Sequence, residues 1–331
     1  MDFNSSQNGT VAVVVDPSSD LIFMVTLFRD PPAARYSAFV ALLLIYAFTV
    51  AANATLGLVI CLESNLHQPM YLYMALLAIT DVVESTNALP RIMANLVASN
   101  LIPIPECIAQ MFFYHIAIRV QSLILTTMSV DRYVAIVHPL RYHSIMSNAL
   151  VFKAFLASVA LAGLPIFGYV AVVVRLNYCR VKVTSSPNCH SSMLRNLSCS
   201  DIDSSVIFNY INIISGIILP FLVIVLMYLL ILLECRKPHL REGKGKAIHT
   251  CVTHICVITV FFSSILFTFV SGLNLQTSIS GDLRSLQTLQ YVLPPVLNPV
   301  VYGLRTAEIR RALARRLVGR VVPGETKMLR S

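Results

Sequence analysis

The groups in this chain best suited to chemistry are polar side chains set inside long apolar runs. Asp131-Arg132-Tyr133 puts an acid, a base and a phenol in a row at the end of one such run. Asn298-Pro299-Val300-Val301-Tyr302 ends another, Asn53 and Asp81 sit in the middle of two more, and Arg119 lies deep in the run that Asp131 ends. Polar groups at such depth are costly, so each needs a partner or a task. Their types suit charge pairing and hydrogen-bond exchange rather than bond making. Eight histidines are present (His67, His115, His138, His143, His190, His239, His249 and His254). No Ser–His–Asp or metal-ligating set falls at one coherent depth, and no Cys/His spacing fits a zinc finger. An enzyme is therefore not expected.

The elements that must hold these groups follow from composition. Of 331 residues, 56% are hydrophobic and only 12% charged, with a mean hydropathy of +0.73; soluble domains carry about 25% charge. A core of this size cannot hide that much apolar surface, but lipid can. Apolar runs long enough for the bilayer occur at 37–62, 70–97, 104–137, 151–175, 205–234, 247–273 and 283–304. The predicted fold is an all-α membrane protein, a bundle of seven spans. Residues 1–36 form an outer segment, 37–304 the bundle and 305–331 a cytoplasmic helix and tail. Leu304 to Leu317 carries many arginines with apolar residues at helical spacing, as an amphipathic helix on the inner leaflet would.

Charge gives the orientation. The net charge is +9, and 16 of the 25 Lys and Arg residues lie in Arg132–Lys153, Arg236–Lys246 and Arg305–Arg330. With these stretches in the cytosol the positive-inside rule holds. The basic residues cap apolar runs without an aromatic–basic surface, so no nucleic-acid partner is expected. Sequons at Asn4, Asn8 and Asn196 fall on the opposite side, where glycosylation occurs; Asn53-Ala54-Thr55 lies inside a span and is silent. The first residues lack the basic and apolar regions of a cleavable signal peptide. No internal repeat of the transporter kind is present. Cys107, Cys179, Cys189 and Cys199 fall outside, where disulfides persist, and allow three pairings. Cys61, Cys235, Cys251 and Cys256 are expected as thiols.

Order and spacing carry a family resemblance. An Asp in span two, an acid–Arg–Tyr triplet 24 residues after Cys107 and Asn-Pro-x-x-Tyr in span seven occur in one seven-span chain. That combination resembles the rhodopsin-like G-protein-coupled receptors over essentially the whole chain. Longer strings are similar to the odorant receptors, best to the fish-type. They are Leu66 to Tyr71, Met128 to Tyr142, Lys246 to Ile255 and Pro294 to Pro299. Val137, Phe262 and Ala52 depart from the residues many members carry there.

The resemblance implies a plasma-membrane odorant receptor. It implies disulfides Cys107–Cys189 and Cys179–Cys199. It implies a two-state bundle, with Arg132 held by Asp131 when off and facing a heterotrimeric G protein of the stimulatory type when on. Tyr133, Tyr228, Asn298, Pro299 and Tyr302 assist, and cyclic AMP is the product. Asn53, Asp81 and Asn298 are implied to form a polar cluster holding water or sodium, although Gln121 stands where many members have an acid. The small odorant is expected among Tyr114, His115, Ile118, Arg119, Ser122, Phe208, Asn209, Asn212, Phe262, Leu266 and Tyr291. Arg119 either binds an anionic odorant or pairs internally with Glu84 or carbonyls. No acid lies between Cys107 and Asp131, so span three lacks the ammonium anchor of amine receptors. Span seven lacks the lysine that would hold retinal.

Overall fold

A computed structural model describes residues 21–24, 32–97, 101–179, 183–184, 188–236, 244–273 and 288–319. Among the described residues, seven long helical segments make up the bundle. They are span one (Pro32–Leu62), span two (Pro69–Val97), span three (Ile104–Val137), span four (Asn148–Val173), span five (Asp203–Cys235), span six (Lys244–Leu273) and span seven (Leu289–Arg305). Among the described residues, spans one, three, four, five and six are long and apolar enough to cross a membrane on those grounds alone. Span two carries Asp81, Glu84 and Arg91, and 18 of its 29 residues are buried. Its polar side faces protein, so it needs less apolar surface than its neighbours. Span seven is shorter than the expected 283–304, whose first residues, 283–287, lie outside those described, and it contains Pro294, Pro295 and Pro299.

The surface of the bundle is apolar where a water-soluble protein would be polar. Leu156, Leu161, Leu164 and Phe167 on span four, and Leu219, Leu222, Leu226, Leu229 and Leu233 on span five, are exposed. A patch of that extent fits lipid. Local chemistry sets several ends. Pro69 opens span two, where its missing N–H costs nothing. Ser147 caps span four by accepting from the Leu150 N–H at 3.2 Å.

Span five is not one regular helix. Asp203–Ile213 and Leu219–Cys235 are joined by a wide π turn, Ile214–Ile218. Pro220 begins the second piece and has no N–H to return to the carbonyl of Gly216. A wide turn is one way the chain absorbs the missing bond.

The outer side carries structure absent from the sequence expectations. β1 (Leu21–Met24) lies between β2 (Leu101–Pro103, antiparallel) and β3 (Val183–Thr184, parallel). Ile22 and Ile102 are buried there with Cys107, Cys189 and Leu194. A short helix, Ser191–Leu197, covers the bundle with Met193, Leu194 and Leu197 buried; Asn196 is exposed on it. The remaining sequons, Asn4 and Asn8, lie outside the described residues. Of the three cysteine pairings, the structure has Cys107–Cys189 and Cys179–Cys199, with Cα separations of 5.3 and 5.9 Å. On the inner side the amphipathic helix runs Ala307–Gly319, after a break at Thr306. Ile309 and Ala312 are buried, and Arg315 and Arg316 reach Glu63 at 3.3 and 3.0 Å.

Candidate functional site

At the inner end the Arg132 guanidinium donates to Asp131 Oδ2, from Nε at 3.1 Å and from Nη2. The Tyr142 hydroxyl donates to Asp131 Oδ1 at 2.8 Å. Both carboxylate oxygens are thus engaged, and Asp131 is fully buried. Burial, then the negative charge of Asp131, raises the Tyr142 phenol well above its usual range, so it stays a donor. Tyr133 sets its ring edge-on to His138 at 6.2 Å. Tyr228 on span five hydrogen-bonds His254 Nδ1 on span six at 2.6 Å. Tyr302 is buried, and its hydroxyl has no partner among the described residues. Arg132 is the charged neighbour shared by Tyr228, His254 and Tyr302. In the sequence His254 stands out only as one of eight histidines and as part of the Lys246 to Ile255 string.

In mid-bundle Asp81 accepts from Gln121 Nε2 at 3.0 Å and from Asn298 Nδ2 at 2.9 Å. Spans two, three and seven therefore meet at one carboxylate. Asn53 does not touch Asp81 through a hydrogen bond. Its Nδ2 donates instead to the carbonyl of Pro295 at 2.8 Å and to that of Thr49 at 3.0 Å. The Pro295 carbonyl is the one that residue 299 would take in a regular helix, but Pro299 has no N–H. Asn53 supplies the missing donor from span one.

Arg119 solves a similar problem on the other side of span three. It is 4% exposed. Its Nη1 donates to Asn212 O at 2.8 Å, Asn212 Oδ1 at 3.1 Å and Ser215 Oγ at 3.1 Å, and its Nη2 to Leu161 O at 3.2 Å. Leu161 lies four residues before Pro165, so its carbonyl has lost its helical donor. Asn212 enters the wide turn of span five. These bonds are the internal pairing weighed from sequence, with carbonyls rather than Glu84 as acceptors. Arg119 Nε has no partner among the described residues. Gly216 makes room for this side chain, since a Cβ there would lie 2.7 Å from Arg119 Cγ and Nη1.

In the outer half, Tyr114 and Tyr291 meet edge to face at 5.6 Å, and Gln290 Nε2 donates to the Tyr114 hydroxyl at 2.6 Å. His115 lies between Tyr114 and Tyr169, with ring separations of 5.2 and 6.1 Å. Ile118 and Ser122 are buried, and the Ser122 hydroxyl has no partner among the described residues. Asn209 accepts from Ser191 Oγ at 3.0 Å, tying span five to the outer helix. Phe208 fills the space left by Gly168 of span four, and Phe262 packs on Phe221 and Phe261 at 5.0 and 5.1 Å.

One expected pocket member points away. Leu266 is 61% exposed on the lipid side of span six. The buried side of that helix runs through His254, Val257, Ile258, Phe261 and Ser264 instead. Phe262 to Leu266 is a step of four residues, which turns about 40° past one full turn and carries Leu266 off the inner face.

Three comparisons complete the description. A family model described as "Olfactory receptor" matches residues 42–320. Human olfactory receptor 8H1 is 33% identical over 294 residues, covering 88% of this chain and 94% of its own length. Human olfactory receptor 51E1 is 33% identical over 318 residues, covering 92% and 96%. These relatives are human, so they bear on the family and not on the fish-type subgroup. The crystal structure of squid rhodopsin superposes with a TM-score of 0.70 at 16% identity, over 89% of this chain and 88% of that one, a likeness of fold. Set beside a bundle whose inner Asp131–Arg132 pair and mid-depth polar joints lie within the matched region, these findings show that the chain belongs to the olfactory receptor family.

Proposed function

We propose that this receptor binds a small odorant in the outer half of the bundle and, when occupied, engages a stimulatory heterotrimeric G protein that raises cyclic AMP. As an olfactory receptor the chain is a multi-pass plasma-membrane protein and not an enzyme. The reading takes the N-terminus and Asn196 as extracellular and the Arg305–Arg330 tail as cytoplasmic, in keeping with the charge distribution.

The observation that carries it is the restraint on Arg132. A cation at the inner mouth is held by its neighbour Asp131, which is itself held by Tyr142. A G protein that offers Arg132 a different surface competes with that restraint. The Tyr228–His254 bond ties span five to span six, and the Asp81–Asn298 bond ties span two to span seven. A ligand between spans three, five, six and seven then biases one arrangement, and the G protein biases the same one from the other side.

This reading routes no step through a sodium ion: Asp81 accepts from the side-chain amides of Gln121 and Asn298. The cluster reads as a hydrogen-bonded joint.

The test is expression in cells with a stimulatory G protein and a cyclic-AMP readout across an odorant panel. Ligand-dependent cyclic AMP that vanishes in Arg132→Ala, at equal surface density, is the expected result. A response that survives Arg132→Ala would refute the coupling role.

A further inference from the structure

Two carboxylates lie one turn apart in span two without a cation. Asp81 is fully buried with both oxygens engaged. Glu84 is 2% exposed, and its Oε2 has no hydrogen-bond partner among the described residues. Among the described residues neither forms an ion pair. A carboxylate at that depth is expensive unless something neutralises it.

Gln121 hydrogen-bonds Glu84 as well as Asp81, and Gln290 reaches Tyr114. Among the described residues Gln121 Oε1 and Gln290 Oε1 are buried without partners. The Tyr114 hydroxyl already accepts from Gln290, and Tyr114 and Tyr291 set their rings edge to face. Glu84 is a charged neighbour of both tyrosines. The group lies in the outer half. Glu84 is 15 residues from Pro69 at the inner end, ~22 Å along the helix, and Tyr114 is 17 residues from Asp131, ~26 Å.

We infer that Glu84, with Gln121, Gln290, Tyr114 and Tyr291, forms a recognition site for a primary ammonium group, so that the ligands of this receptor are small amines. The inference rests on the receptor reading above and names the ligand class for it. An alkylammonium brings three N–H donors to a place that offers unpartnered oxygens. Glu84 neutralises its charge, and the tyrosine rings add cation–π attraction. An alcohol brings one donor and no charge, and a carboxylate is repelled. Span three has no acid between Cys107 and Asp131, which alone argues against an amine; span two supplies one. Arg119 does not oppose the site. It lies two positions before Gln121, about 200° around the helix, with its donors on spans four and five.

The test uses purified receptor in lipid nanodiscs and thermal unfolding, with hexylamine, phenethylamine and cadaverine against hexanol, phenethyl alcohol and hexanoate. A ligand that binds the folded state raises its melting temperature. At least one amine should stabilise more than its matched alcohol, and hexanoate should not stabilise. Glu84→Gln should weaken the amine effect roughly tenfold to a hundredfold. Glu84→Asp, which keeps the charge but withdraws it by one methylene, should weaken it less. The inference is overturned if no amine exceeds its alcohol, if both Glu84 variants respond as the wild type, or if sodium alone gives the same Glu84-dependent shift. The cyclic-AMP readout separates the two readings. Amines that stabilise without raising cyclic AMP sink the coupling and leave this site standing. Cyclic AMP raised only by neutral odorants does the reverse.

Discussion

The Arg119 clamp makes a prediction in which one substitution changes sign with its background. Gly216→Ala puts a Cβ 2.7 Å from Arg119 Cγ and Nη1 and 3.0 Å from Cζ. Contacts that short force the arginine to move. Nη1 is the atom that donates to Asn212 O, Asn212 Oδ1 and Ser215 Oγ. Losing one hydrogen bond from a charged donor costs about 1.5–3 kcal/mol. Alanine returns about 1 kcal/mol over glycine inside a helix. Gly216→Ala should therefore destabilise the wild-type receptor by about 0.5–2 kcal/mol. In an Arg119→Ala background the added Cβ meets no guanidinium or Cγ, and only the helix term remains. There Gly216→Ala should stabilise by about 1 kcal/mol. Arg119→Ala itself should cost only a few kcal/mol at most, because removing a buried charge, worth about 2.5–3.5 kcal/mol, offsets the carbonyls it orphans at about 1–3 kcal/mol each. Denaturant titration of the four purified receptors in detergent gives the cycle. Equal effects of Gly216→Ala in both backgrounds would show that Gly216 does not serve Arg119.

Asn53→Ala should lower stability by about 1–3 kcal/mol by orphaning the Pro295 carbonyl; in a Pro299→Ala background, where residue 299 has an N–H again, the same titration should find a much smaller loss. Asp131→Asn should raise basal cyclic AMP at matched surface density, since Arg132 loses its charged partner; unchanged basal signal would mean that the pair does not restrain it. Cys107→Ser opens a bridge spanning 82 residues and Cys179→Ser one spanning 20, so chain entropy assigns them about 4–5 and about 3 kcal/mol. Surface staining of cells should fall further for the first, and the reverse order would point to a role for Cys179–Cys199 beyond loop closure.

The spans were legible because a bilayer of fixed thickness demands apolar runs of fixed length. The outer sheet was not, since β1 is four residues whose pairing depends on two distant loops. Nor was the wide turn of span five: Pro220 announces a missing bond but not how the ladder absorbs it. Leu266 was misplaced because stepping by four drifts around a 3.6-residue helix, and an error of some tens of degrees is enough to exchange pocket for lipid. The partners of Arg119 and Asn53 were closer to hand than the sequence reading took them to be. A proline at position i leaves the carbonyl at i−4 without its donor. Pro165 therefore names Leu161 and Pro299 names Pro295, from the sequence alone. Both carbonyls are met by a polar side chain from another span, Arg119 and Asn53. Burying a donor inside the bundle and breaking a helix with proline are each unfavourable alone, and set against each other they become a joint between two helices.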